Sequence, residues 1–209
     1  MNQIKNIIFD LGGVIINLDI NKTIQEFNKL SNKQFETIYT QLQQSPIFDH
    51  FDKGEISESD FFNEIENSLS NNIPKEKLLF AWNAMLLDFP KNRLQLLEKL
   101  KPNYRLFLLS NTNETHITEF ESILFKQHGF HNLESFFETV YYSCRMGMRK
   151  PNNNIFDFVL TKHNHSPQET LFIDDSPQHI EGALKTGIRA ELLYKDREVE
   201  DLIKELQLL

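Results

Sequence analysis

Residues 4–14 read IKNIIFDLGGV. Ile4 to Phe9 is an apolar run too short for a helix, and Asp10-Leu11-Gly12-Gly13 stops it, so the segment predicts a buried strand ended by a turn. A carboxylate at the end of such a strand is costly to bury without partners, and the two glycines free the chain to turn sharply or to wrap amides around an anion. Locally, Asp10 fits either an anion-handling carboxylate or a cap of the following turn.

Similar runs recur at Tyr104 to Leu109, Phe136 to Tyr142, Thr170 to Ile173 and Ile188 to Tyr194. Helical patterns lie between the later ones, at Glu114 to Phe125, Ile155 to Lys162 and Gln178 to Thr186. Strands alternating with helices predict an α/β fold whose mostly parallel sheet is covered on both faces, giving three layers. From Asn17 to Asn92 the pattern changes. Ile24, Phe27 and Leu30, then Phe61, Phe62, Ile65 and Leu69, recur at helical spacing, and no strand is expected. Ser57 followed by Asp60 reads as a helix cap, with Gly54-Glu55-Ile56 as the preceding turn. Pro74 and Pro90 mark breaks, Pro74 suiting a first helical turn, and Ala81 to Leu87 reads as the last helix of the segment. The expected division is a core of residues 1–16 and 93–209, with residues 17–92 as a helical cap inserted after the first strand and lying over the carboxyl ends of the strands.

The chain has 209 residues, 40% of them hydrophobic and 25% charged, which suits one sizeable core and a smaller subdomain. The first apolar run is broken by Asp10 and two glycines with no small-residue cleavage site after it, and no stretch reaches the length of a membrane span. A single cysteine, Cys144, excludes an internal disulfide and fits a reducing, cytoplasmic compartment. It carries no thiol-protease signature and reads as packing. A net charge of -8 without a basic stripe argues against nucleic acid, but not against a small phosphorylated metabolite met locally by one lysine, a metal ion and backbone amides. The histidines are scattered, which disfavours zinc.

Four further segments carry candidate chemistry. Asp174-Asp175 ends a second apolar run, and adjacent carboxylates in a cleft are most cheaply kept charged by a hard dication such as Mg2+; capping of the helix starting near Ser176-Pro177 is the alternative. Ser110-Asn111-Thr112-Asn113 offers neutral donors to a phosphate, or an ordinary helix cap. Lys150, in Arg149-Lys150-Pro151, can reach both a phosphate and Asp10, or be a solvated charge. His179 stands close after Asp175, either supporting it or lying on a first helical turn.

Asp10-Leu-Gly-Gly-Val, Ser110 after an apolar strand, Lys150 before proline and Asp174-Asp175 within Phe-Ile-Asp-Asp-Ser together resemble the haloacid dehalogenase-like superfamily across nearly the whole chain. Leu109-Ser-Asn-Thr-Asn and Gly147-Met-Arg-Lys-Pro are similar to the branch containing a bacterial glucose 1-phosphate phosphatase and the amino-terminal phosphatase domain of soluble epoxide hydrolase. The resemblance implies a Rossmann-like core with a helical cap and a magnesium-dependent phosphatase. It implies that Asp10 attacks phosphorus and forms an aspartyl phosphate, with Ser110 and an Asn111 amide donating to the phosphoryl group and Lys150 neutralising charge. Magnesium would be held by the Asp10 carboxylate, the Gly12 carbonyl and Asp175, with Asp174 acting mainly through water.

Gly12 departs from most phosphatases of this superfamily, which place there a second aspartate that protonates the leaving oxygen. Its absence favours substrates with good leaving groups, such as a hexose 1-phosphate, and opens an alternative in which the protein only binds a phosphorylated ligand or serves regulation. Asp19, which fits a helix cap better, and His116 are candidate replacement donors. Trp82, Asn83 and His116 are candidate substrate-binding residues, the indole as a stacking surface and the amide as a hydroxyl partner, with His50 and Phe51 in an expected loop before Gly54 as weaker ones. A monomer or weak homodimer is expected.

Overall fold

A computed structural model describes residues 3–30, 35, 37, 46–69 and 72–209. Five strands form one sheet: β1 (Asn6–Phe9), β2 (Arg105–Ser110), β3 (Thr139–Tyr142), β4 (Thr170–Asp174) and β5 (Arg189–Leu192). They lie in the order β3-β2-β1-β4-β5 and every pairing is parallel. The helices are α1 (Ile20–Leu30), α2 (Ile47–Asp52), α3 (Glu58–Leu69), α4 (Lys75–Asn83), α5 (Lys91–Leu100), α6 (Glu114–His128), α7 (Ser143–Met146), α8 (Asn153–His163), α9 (Pro177–Leu184) and α10 (Val199–Glu205).

The interiors of the central strands are apolar because both faces are covered, with polar residues only at the strand ends, where Asn6 donates to Thr170 Oγ1 at 3.3 Å. Alternate residues of β1 divide between two hydrophobic clusters. Ile7 and Phe9 pack with Leu97, Phe120 and Leu202 on one face, and Ile8 packs with Phe107, Phe156 and Val159 on the other. A third cluster is built from residues between β1 and β2: Phe27, Phe51, Phe61, Phe62, Ile65 and Trp82 share it, with Phe51 stacked on Phe61 at 4.0 Å. Ser57 caps α3 as its spacing predicts, since the Asp60 amide donates to Ser57 Oγ at 3.1 Å and Asp60 Oδ2 accepts from the Ser57 hydroxyl at 2.6 Å.

Several boundaries differ from the sequence expectation. Phe136 and Phe137 precede β3 rather than opening it; both are buried in the core after the short turn Leu133–Ser135, so their apolar character serves packing. The helix expected over Ala81 to Leu87 starts earlier and ends at Asn83. Beyond it Leu86 bridges Leu18, and Asn17 exchanges backbone hydrogen bonds with Leu87 and Asp88, so the two crossings of this segment run side by side. His50 and Phe51 sit in α2 rather than in a loop, because their neighbours supply an apolar face to the third cluster. Three helices, α5, α7 and α10, carry no expectation above; α5 follows Pro90 directly and buries Leu94, Leu96, Leu97 and Leu100.

Candidate active site

The strand order reverses at β1: the chain steps outward through β2 and β3, then returns to the opposite side of β1 with β4. Sites in open parallel sheets form at the carboxyl ends of such strands. Register does the placing here. Phe9 pairs with Leu108 on one side and Ile173 on the other, so Asp10 emerges between Ser110 at the end of β2 and Asp174 at the end of β4.

Lys150 reaches this edge from the segment after α7. Its side chain is fully buried, donating to Asp10 Oδ1 at 2.7 Å and to Asp174 Oδ2 at 2.6 Å. Asn111 fixes that segment to the end of β2, its amide donating to the Lys150 carbonyl at 2.8 Å and its oxygen accepting from the Lys150 amide at 2.9 Å. Asp174 is further held by the Ser176 amide at 2.8 Å and by His179 Nδ1 at 2.9 Å. Burial pushes the Asp10 carboxyl up to about 7, with Lys150 opposing and the Asp174 and Asp175 charges adding to the rise. For Asp174 burial also raises the pKa, but Lys150 and His179 outweigh it and bring it to about 2. Burial disfavours the Lys150 ammonium, yet the two carboxylates win and hold its pKa above the ordinary range.

Asp10, Asp174 and Asp175 each offer a carboxylate oxygen within 4.8 Å of the others. One buried ammonium leaves this group with excess negative charge, and the absence of histidine or cysteine from the set suits a hard, oxygen-preferring dication. Gly13 makes the approach of Asp175 possible: at φ +71° a Cβ there would fall 2.3 Å from Asp175 Oδ2.

A cavity of about 190 Å³ opens beside Ser110 and Gly12, and Asn111, Thr112, Asn113, Asp52, Trp82 and His116 also line it. Ser110 is buried at the end of β2. The Thr112 amide donates to Ser143 Oγ at 2.9 Å, fixing the turn that follows. Trp82 is packed against His116, Phe48 and Phe61 and is only 4% exposed, so its ring face serves packing and its free polar group is the unpartnered Nε1–H. Burial pushes the His116 pKa down to about 4, against a hydrogen bond to the Trp82 backbone, so the ring is neutral near neutrality. Asn83 is not brought to this cavity; it lines a neighbouring groove with Lys22, Glu76 and Phe80. Asp19 caps the start of α1, its Oδ1 accepting from the Asn21 amide at 3.1 Å. Burial pushes the Cys144 thiol up to about 12, which holds it in the thiol form near neutrality.

The sequence profile of haloacid dehalogenase-like hydrolases matches residues 7–192, which contain every side chain of this site. The chain belongs to the haloacid dehalogenase-like hydrolase family. Among its relatives is a D-ribitol-5-phosphate phosphatase of Bacteroides thetaiotaomicron, 32% identical over 178 residues, covering 85% of this chain and 86% of that protein. A crystal structure of a haloacid dehalogenase family enzyme from the same organism, in complex with magnesium and inorganic phosphate, superposes with a TM-score of 0.86 at 35% identity, covering 95% of this chain and 98% of that one. A predicted haloacid dehalogenase-like hydrolase from Porphyromonas gingivalis superposes at 0.87 with 30% identity, covering 99% and 98%.

Asp52 belongs to the site's surroundings without having been singled out from the sequence, whereas Asn113 takes the helix-cap role expected of the Ser110-Asn111-Thr112-Asn113 segment and Arg149 stood out only as the neighbour of Lys150. Arg149 forms ion pairs with Asp49 and, at 3.5 Å, with Asp52. Asn113 caps α6 through its oxygen, accepting from the His116 amide at 3.0 Å, and hydrogen-bonds Asp52. Asp52 lies two residues before Gly54, a turn glycine ahead of a capped helix, and that was the one local signal available.

Proposed function

We propose that this protein is a magnesium-dependent phosphatase of small phosphate monoesters, working through Asp10 in the cytoplasm as a monomer or weak homodimer. The observation that carries the reading is the buried Lys150 ammonium bridging Asp10 and Asp174 beside Ser110, in a chain of this family. The domain division follows: residues 1–16 and 93–209 form the catalytic core, and residues 17–92 form a helical cap with its own apolar cluster. Sugar and polyol phosphates, hexose 1-phosphates among them, are the substrate class. A phosphatase of D-ribitol 5-phosphate is a 32% identical relative, and the cavity lining offers Asp52, Asn113, His116 and the free Trp82 Nε1–H to hydroxyl groups.

Asp10 attacks phosphorus in line, and the ester oxygen departs as an aspartyl phosphate forms. Lys150 keeps Asp10 aligned and offsets the charge of the phosphoryl group, while Ser110 and the Asn111 amide donate to its oxygens. Water then cleaves the aspartyl phosphate and releases inorganic phosphate. Asp10, Asp174, Asp175 and the Gly12 carbonyl would hold magnesium, which when bound supplies positive charge to the phosphoryl oxygens.

Gly12 favours a second reading, a protein that binds phosphorylated ligands without turnover. Phosphate release from a panel of sugar, polyol and nucleotide phosphates, measured for the native protein and Asp10→Asn with magnesium or chelator, separates the two. Release that disappears with chelator and in the variant supports the phosphatase; binding without release on the whole panel moves the assignment to the second reading.

A further inference from the structure

We propose that Asp52 is the proton donor to the leaving-group oxygen, taking from the cap the task for which residue 12 has no side chain. The inference rests on the phosphatase reading. A polyol phosphate monoester, whose leaving group is poorer than that of a hexose 1-phosphate, departs as a poorly stabilised alkoxide unless a proton arrives as the bond breaks. The groups around Asp10 are committed elsewhere: Lys150 is bonded to two carboxylates, and Asp174 accepts from Lys150, Ser176 and His179. His116, a sequence candidate, is neutral near neutrality and stacked on Trp82. Asp19, the other, caps α1.

Asp52 differs from all of these in position. Gly12, Ser110 and Asn111 line the cavity of about 190 Å³ together with Asp52, Trp82 and His116. An ester whose phosphoryl group engages Ser110 and Asn111 therefore shares this cavity with Asp52, the one carboxylate among the described residues that line it. The residue is also held in place. It ends α2, and the turn after it sits against the core at Gly54, where a Cβ would fall 2.3 Å from the Cys144 carbonyl oxygen. Asn113, fixed by its own capping bond, donates to it.

The charged and titratable groups facing Asp52 are Arg149 before α8, His116 of α6 and Cys144 of α7, with Asp49 and His50 on its own helix. Arg149 also pairs with Asp49. Burial pushes the Asp52 carboxyl up to about 7, against the Asn113 hydrogen bond, while the Arg149 guanidinium at 3.5 Å favours the carboxylate left when the proton is given up. As the Asp10 oxygen bonds to phosphorus and the ester P–O bond breaks, the Asp52 proton passes to the departing oxygen. The Asp52 carboxylate then takes a proton from the water that attacks the aspartyl phosphate, which restores both carboxyl groups.

The test compares native protein, Asp52→Asn and Asp52→Asn with Gly12→Asp, using magnesium, ribitol 5-phosphate and para-nitrophenyl phosphate. The nitrophenolate leaves without help from an acid, so its turnover reports an intact site. A Cβ at residue 12 meets only the movable end of Leu18, at 2.6 Å, so the second change can be accommodated. Expected are a loss of about 10²- to 10⁴-fold in kcat on ribitol 5-phosphate, a loss about tenfold or more smaller on the nitrophenyl ester, and recovery of the alkyl reaction by Gly12→Asp. The basic limb of the native pH profile for the alkyl ester also disappears in Asp52→Asn. Equal losses on both esters, or a rise in KM at unchanged kcat, would overturn the donor role while leaving the phosphatase standing. A native protein inactive on both esters would overturn both.

Discussion

Lys150 and Asp10, 140 positions apart in the chain, meet at 2.7 Å over the carboxyl edge of the sheet. The same ammonium touches Asp174, so removing it leaves two buried carboxylates facing one another. Lys150→Ala is expected to lower stability in chelator by about 3–5 kcal/mol, read from urea unfolding, because an unpaired buried charge costs far more than an exposed one. A loss below about 1 kcal/mol, the scale of a surface pair, would contradict that reading.

Gly13 and Asp175 are similarly matched, with 2.3 Å between a hypothetical Cβ and Asp175 Oδ2. Gly13→Ala is expected to displace Asp175 and shrink the rise in Tm that magnesium produces through preferential binding to the folded state. Gly147→Ala is the control, since Gly147 also has positive φ but no neighbour within 4 Å of the added carbon. An equal magnesium shift in both variants would separate Asp175 from metal binding.

Gly54 has φ +69° and lies against the Cys144 carbonyl, so Gly54→Ala meets both backbone strain and a clash. The expected cost is about 1–3 kcal/mol in thermal or urea unfolding. Turnover should fall further than stability, since the turn carries Asp52. Wild-type turnover from a destabilised variant would show that the seating of this turn is irrelevant to the chemistry.

Asp52 also makes a prediction about pH and stability. Its pKa is raised on folding, so its contribution is fully present below the ordinary aspartate range and is lost as pH rises through about 7. Asp52→Asn should therefore gain on the native protein from about pH 4 upward and level off above pH 7. His116, lowered to about 4, gives the opposite slope below neutrality in both proteins and cancels in the difference. A flat difference between the two unfolding curves from pH 4 to pH 8 would show that Asp52 ionises normally.

The sheet and the acid-serine-lysine-acid order were legible because strands buried on both faces must be apolar runs, and the residues ending them are polar for a local reason. Asp10 and Asp174 follow Phe9 and Ile173, and that adjacency survives folding as a parallel register. The helices between β1 and β2 were legible as helical spacing, but their contact with the site was not. His50 and Phe51 were read as a loop, and the apolar face that makes them helical is defined by Phe61 and Trp82, distant in sequence. Asp52 escaped notice for the same reason: on paper it is one of many acidic residues, and only the packing of its turn on Cys144 and Asn113 makes it a half-buried carboxyl. Trp82 shows the reverse, a conspicuous residue whose ring face is taken up by packing.

The most direct measurement of the central claim is rapid acid quench of the protein turning over a phosphate ester with magnesium, followed by peptide mass spectrometry. The account expects a hydroxylamine-sensitive phosphoryl group on the peptide carrying Asp10, absent from Asp10→Asn, which also releases no phosphate. Steady turnover with no phosphoryl group on that peptide, or an Asp10→Asn variant as fast as the native protein, would contradict it.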